Sequence, residues 1–189
     1  MARSLVTPPL ALPVTLDQIK THLKIETNAD DAYLLELAAA AVGHVQAETG
    51  KYLVTQTWRI YLDKIPFSGI VELRLAPVVS VDAITVYDQT GIPSVIEPSQ
   101  YSVDIVSFPS RICFASLPQS GQQMNGIEID LVCGYGDTGA DVPGQIVRAM
   151  LVLIAYWHEF RGSPADPLLS ASVPPGFARL LAPFGAVRL

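Results

Sequence analysis

Charge and cysteine are what this sequence has least of. Of its 189 residues only 16% are charged and two are cysteines, Cys113 and Cys133. An average domain carries about 25% charged residues. One pair of cysteines is no disulfide framework, so both are expected as small buried thiols in a reducing compartment. Cations are scarcer than anions, 12 against 18, and the net charge of −6 leaves no basic footprint for gripping nucleic acid. Long hydrophobic runs are missing as well. The longest, Ala149 to Trp157, falls well short of the ~20 residues a membrane span needs. In the opening MARSLVTPPLALP, Pro8, Pro9 and Pro13 interrupt any signal-peptide core. These absences read as a soluble chain made in the cytoplasm, with no membrane partner. What is plentiful is apolar side chain, 50% of residues. A chain of this size buries roughly 70% of its unfolded surface and needs no staple or metal. The charge deficit implies that some surface is covered by other than water, most simply by copies of the same chain.

The hydrophobic period changes twice. Residues 1–14 read as an extended, proline-punctuated arm. Thr15-Leu16-Asp17-Gln18 has capping-box spacing, and Leu16, Ile19 and Leu23 predict one apolar helical face ending near Ile25. A second helix is expected from Asp30 or Asp31 through the alanine run to Thr49, with Gly50 as its left-handed terminator. After Gly50 the period drops to two. Strands are expected at Thr57–Leu62, Val71–Leu75, Ala83–Tyr87, Tyr101–Ile105, Arg111–Ala115 and Gly126–Cys133. Turn residues separate them, and the lack of intervening helices disfavours a parallel, nucleotide-binding sheet. A third helix follows from Pro143 to about Arg161, apolar over most of its circumference. The fold class is therefore α+β. It comprises a small helical bundle (two N-terminal helices plus a long C-terminal helix), an antiparallel β-rich insertion and an extended C-terminal tail. The boundaries are an arm at 1–14, a helical scaffold at 15–52 and 141–162, the insertion at 53–140, and a loop and docking tail at 163–189.

No catalytic constellation emerges. His22, His44 and His158 lie at no metal-ligand spacing, and Gly162 stands where His158-Glu159 would need a second histidine. There is no Gly-x-Ser-x-Gly elbow. Gly134-Tyr135-Gly136 lacks the third glycine and the lysine of a phosphate loop, and Asp137 and Asp141 suit helix capping. Catalytic residues, cofactors and metals are thus expected to be none. Trp58 and Trp157 read as core. Two sets of residues could meet partners instead. The small-residue face of helix two, with Leu34, Leu37, Ala38 and Ala41, is either core or an inter-subunit contact. Phe177, Leu180, Leu181 and Phe184 follow a Pro/Ser loop in a stretch too short to fold alone. They either pack back on the domain or anchor in a partner's groove.

The order of these features resembles the head–tail connector (adaptor) proteins of tailed bacteriophages, prophages and gene transfer agents, in the longer form with a β-rich insertion. The resemblance is carried by Thr15-Leu16-Asp17-Gln18-Ile19-Lys20-Thr21-His22-Leu23-Lys24, Asp30-Asp31 and the alanine-rich helix. It continues through Glu48-Thr49-Gly50-Lys51, Thr55-Gln56-Thr57-Trp58, Val132-Cys133-Gly134-Tyr135-Gly136 and Val142-Pro143. It ends with Tyr156-Trp157-His158-Glu159-Phe160-Arg161 and Leu180-Leu181-Ala182-Pro183-Phe184. The resemblance implies a non-enzymatic neck subunit of a virion or phage-like particle, assembled in the host bacterial cytoplasm. It implies a ring, typically of twelve copies, beneath the portal protein. Such a ring extends the DNA channel, lets DNA pass without sequence-specific binding, and carries the next neck or tail protein, a stopper or terminator. The helical scaffold would form the ring through Leu34, Leu37, Ala38 and Ala41, and the tail would dock on the portal through Phe177, Leu180, Leu181 and Phe184. Deleting residues 176–189 is then expected to leave a folded chain that no longer joins portal-bearing heads. Another neck or tail-completion protein is the first alternative. A cytoplasmic ligand-binding β module, which needs a concave apolar pocket, is the second.

Overall fold

The change of period near Gly50 and its reversal after Cys133 divide the chain into two compact units. One comprises residues 10–54 and 135–189, the other residues 1–9 and 55–134. The computed structural model describes residues 2–161 and 172–185. The fold is α+β with antiparallel sheets.

In the first unit, α1 (Leu16–Leu23) opens on the capping box. Thr15 Oγ1 accepts from the Gln18 amide, and Gln18 Oε1 accepts from the Thr15 amide at 2.9 Å. Lys24, in the left-handed region at φ 59°, ends it. Helix α2 (Asp31–Thr49) stops at Gly50, whose φ of 68° an L-residue rarely adopts. Helix α3 (Gly144–Glu159) starts just after Pro143, and α4 (Phe177–Leu181) is a short segment behind it. All four contribute to one core. Ile19 comes from α1, Leu34, Ala38, Ala41 and Val45 from α2, Ile146, Ala149, Met150, Leu153 and Ile154 from α3, and Phe177 and Leu181 from α4. A buried leucine such as Leu153 contributes about 2–5 kcal/mol relative to alanine.

In the second unit, five strands pair in the order β1 (Ala2–Thr7), β2 (Gln56–Leu62), β8 (Ile127–Cys133), β4 (Val78–Tyr87), β5 (Pro93–Val95). A smaller sheet runs β3 (Ile70–Leu73), β7 (Ser110–Phe114), β6 (Tyr101–Asp104). Alternation puts Ile60, Ile129 and Ile84 side by side on the buried face. The opposite face carries Arg59 over Asp130.

Three sequence expectations are corrected here. The extended N-terminal arm is not a segment apart, because residues 2–7 form the edge strand β1 paired with β2. Five of its six side chains are exposed, so no alternation announces it. Strand β4 begins at Val78 and not Ala83, because two register shifts against β8 break the two-residue period. Of the cysteines, Cys133 is buried but Cys113 is exposed on β7, and both are free thiols. The expected loop at 163–175 falls largely outside the described residues.

Candidate docking surfaces

Leu34, Ala38 and Ala41 lie on the side of α2 that faces its own core, and all three are fully buried there, with Leu37 at the margin. They are therefore corrected from a ring face to the intrachain seat of α3. Their small side chains admit α3 closely. The outward side of the same helix carries Leu35 (41% exposed), Ala39, Ala40, Gly43 and Ala47. A Cβ built on Gly43 would meet nothing within 4 Å. Sequence reasoning missed this side because the helix is small and apolar on both faces.

The C-terminal set divides in a similar way. Phe177 and Leu181 are 2% exposed in the helical core, while Leu180 and Phe184 are half-buried against it. Aromatic contacts fix the segment. The Phe177 ring lies 5.4 Å from that of His44, which meets Trp157 edge-on at 6.0 Å. Trp157 Nε1 donates to the Ser172 carbonyl at 3.0 Å. Phe177 and Leu181 are thus corrected from free anchors to core residues. The last residues, 186–189, fall outside the described part of the chain.

The ends of α2 and α3 are tied by charge. The Asp30 carboxylate oxygens accept from the two terminal guanidinium nitrogens of Arg161, at 2.8 and 3.3 Å. That pairing holds the Asp30 carboxyl below its ordinary range. Arg161 also lies over the Tyr33 ring at 5.2 Å.

The two most exposed large apolar side chains of the β unit sit on loop tips. The Pro66–Gly69 turn closes with the Gly69 amide donating to Pro66 at 2.9 Å, and Gly69 has φ 71°. It leaves Phe67 93% exposed. A second tip presents Val106, 94% exposed, beside Phe108. Asp104 builds it. One carboxylate oxygen accepts from the Val106 and Ser107 amides at 3.1 and 3.0 Å, and the other accepts from Arg111 at 2.9 Å. The Ser107 hydrogen bonds, then Arg111, pull the Asp104 carboxyl down to about 2.

Chemistry-bearing groups do not converge. Among the described residues no group of three or more histidine, cysteine or acidic side chains could hold a metal ion, and no helix is long and apolar enough to cross a membrane. Asp141 accepts from the Thr138 amide and hydroxyl at 3.0 and 2.9 Å, capping a short 3-10 turn just before α3. Burial pushes the Cys133 thiol up to about 12, far from a reactive thiolate. A hollow of about 540 Å³ on the β unit has Lys64, Glu72 and Arg74 among its lining residues. That does not suit the enclosed apolar pocket of a ligand-binding module.

Comparison with known proteins agrees with a surface-driven role. The family model of phage gp6-like head–tail connector proteins matches residues 13–107, half of the chain. No curated protein matches significantly. Among solved structures, a chain from the neck of an empty gene transfer agent (GTA) particle, computed with C6 symmetry, is 25% identical with a TM-score of 0.83. The match covers 100% of this chain and 97% of that one. Chains from the virion of a native GTA particle (23% identical, TM-score 0.83) and from the neck of a native GTA particle computed with C12 symmetry (24%, 0.79) share the fold over the same extents. On the match over Pro13 to Ser107, the chain belongs to the phage gp6-like head–tail connector family, and it is a structural protein, not an enzyme.

Proposed function

We propose that this chain is the repeating subunit of a neck ring docked beneath the portal of a phage or phage-like particle. The observation that carries the reading is the end-to-end likeness to a chain in the neck of a GTA particle, at 25% identity and a TM-score of 0.83. The ring extends the DNA channel. A net charge of −6 favours passage of DNA over retention, since few cations are present to displace counterions from phosphates. The helical unit supplies the ring contacts through the outward side of α2, where Ala39, Ala40, Gly43 and Ala47 permit close helix approach. The C-terminal segment reaches the portal through the half-exposed Leu180 and Phe184 and the residues after them. Phe177 and Leu181 hold its base to the core. The β unit, with Phe67 and Val106 on its loop tips, meets the next stopper or terminator protein.

The test is the size of the purified chain with and without the portal protein, followed by chemical crosslinking to it. A portal-dependent ring crosslinked to the portal is expected. A chain that enters particles but crosslinks only to tail components is a different neck or tail-completion protein. A monomer or dimer indifferent to portal, and absent from particles, overturns the reading.

A further inference from the structure

Strand β1 pairs with β2 over Ala2↔Tyr61 to Thr7↔Thr57, yet no hairpin joins them. Between them the chain leaves the β unit at Leu10, builds much of the helical unit, and returns only at Thr55. No local turn sets which β2 edge this strand occupies. None of residues 2–7 is buried, so the strand contributes no side chain to the core. It is held by backbone pairing and surface ties, among them Ser4 to the Tyr61 hydroxyl at 3.2 Å and Arg3 over the Trp58 ring at 5.5 Å. Its bridge to the helical unit, Pro8-Pro9-Leu10-Ala11, is exposed throughout, with Leu10 at 96%. At the ~3.1 Å per residue of an extended proline-rich segment, that bridge spans about 12 Å. Short, stiff hinges of this kind favour exchange between copies of the element they tether, because each bond lost within the chain is remade with a neighbour.

We propose that in the assembled ring β1 is exchanged, each copy adding residues 2–7 to the β2 edge of the next copy. The inference rests on the ring reading above and deepens it by naming the self-contact. A head-to-tail exchange closes on itself in a cyclic assembly and leaves no β2 edge unpaired. It also makes subunit loss conditional on stripping a strand, since the tethered strand rebinds at high effective concentration.

The experiment uses particles carrying the chain with Thr7→Cys and Thr57→Cys, in a Cys113→Ser background that removes the exposed native thiol. After mild oxidation, non-reducing gels are expected to show a ladder of covalent multimers that collapses on reduction. Complete oxidation of the pair, by thiol titration, with every chain still at single-chain mass overturns the exchange while leaving the ring intact. Should the double variant fail to enter particles, chains bearing T7C alone and T57C alone are co-assembled. A mixed disulfide dimer is then expected, and its absence with both chains incorporated overturns the exchange. If the unaltered chain itself is missing from purified particles, the neck reading fails, and the exchange with it.

Discussion

A carboxylate that accepts from two backbone amides and an arginine is hard to protonate, and Asp104 is so placed at the base of the Val106 tip. Its folded-state value of about 2 lies below that of an unfolded aspartate. Its contribution to loop order is therefore present above pH ~4 and lost as pH falls through about 2. Asp104→Asn is expected to speed hydrogen exchange at the Val106 and Ser107 amides at neutral pH. Unchanged exchange would mean that the turn holds without the charge. Arg59 is the comparable residue on the sheet. It donates to both Asp130 oxygens at 2.7 and 2.8 Å and lies 3.0 Å from Glu128. Asp130 first, then Glu128, raises its pKa above the ordinary arginine value. Arg59→Ala leaves two carboxylates side by side. After discount for partial exposure, a loss of about 1–2 kcal/mol in urea unfolding is expected. The cysteines give a simpler contrast. Cys113 is expected to alkylate in the native protein and Cys133 only on unfolding, which mass spectrometry of peptides would show.

Helix α2 shows how far a single element could be read in advance. Its existence, its acidic start and its glycine stop follow from local chemistry, and so does the capping box of α1. The face carrying Leu34, Leu37, Ala38 and Ala41 was legible as well. What was not legible is whether its own core or a second chain covers it, and the packing of α3 against Ala38 and Ala41 decides for the core. Ala38→Leu is expected to overpack the core by about 1–3 kcal/mol. Ala40→Leu should alter stability by no more than about 0.5 kcal/mol, yet block ring assembly. Unfolding curves, and light scattering in the presence of the portal protein, separate these effects in the two variants, and an Ala40→Leu chain that still forms rings removes α2's outward side as the contact. Strand existence was legible wherever alternation was clean, as in Thr57–Leu62 and Gly126–Cys133. Strand β1 was not, since an edge strand held by its backbone has no need of an apolar face. Nor was the pairing of β2 with β8, which depends on contacts between residues some seventy positions apart.

At the scale of the whole molecule, the C-terminal segment packs into the helical core and is also the proposed portal contact, so removing it cannot test only one. Deleting residues 176–189 takes Phe177 and Leu181 out of the helical core, where both are 2% exposed. Each buried side chain of this kind contributes about 1.5–3 kcal/mol, against a total stability of roughly 5–15 kcal/mol for a domain. The expectation that this truncation leaves a well-folded chain is therefore revised, and its failure to join heads would report lost stability as readily as a lost contact. The sequence could not reveal this, because a Phe-x-x-Leu-Leu spacing serves an anchor in a foreign groove and a helix docked on its own core equally well. The separating variants spare the core. Deleting residues 186–189 is expected to move the unfolding midpoint by less than about 2 °C, since every buried residue named above is retained. Adding Phe184→Ala removes one half-buried ring. If the segment docks on the portal, co-sedimentation with portal-bearing heads should fall at least tenfold in the combined variant while the helical unit stays cooperative in thermal melts. Normal co-sedimentation in that variant would assign portal docking to another surface and leave α4 as a brace for the core.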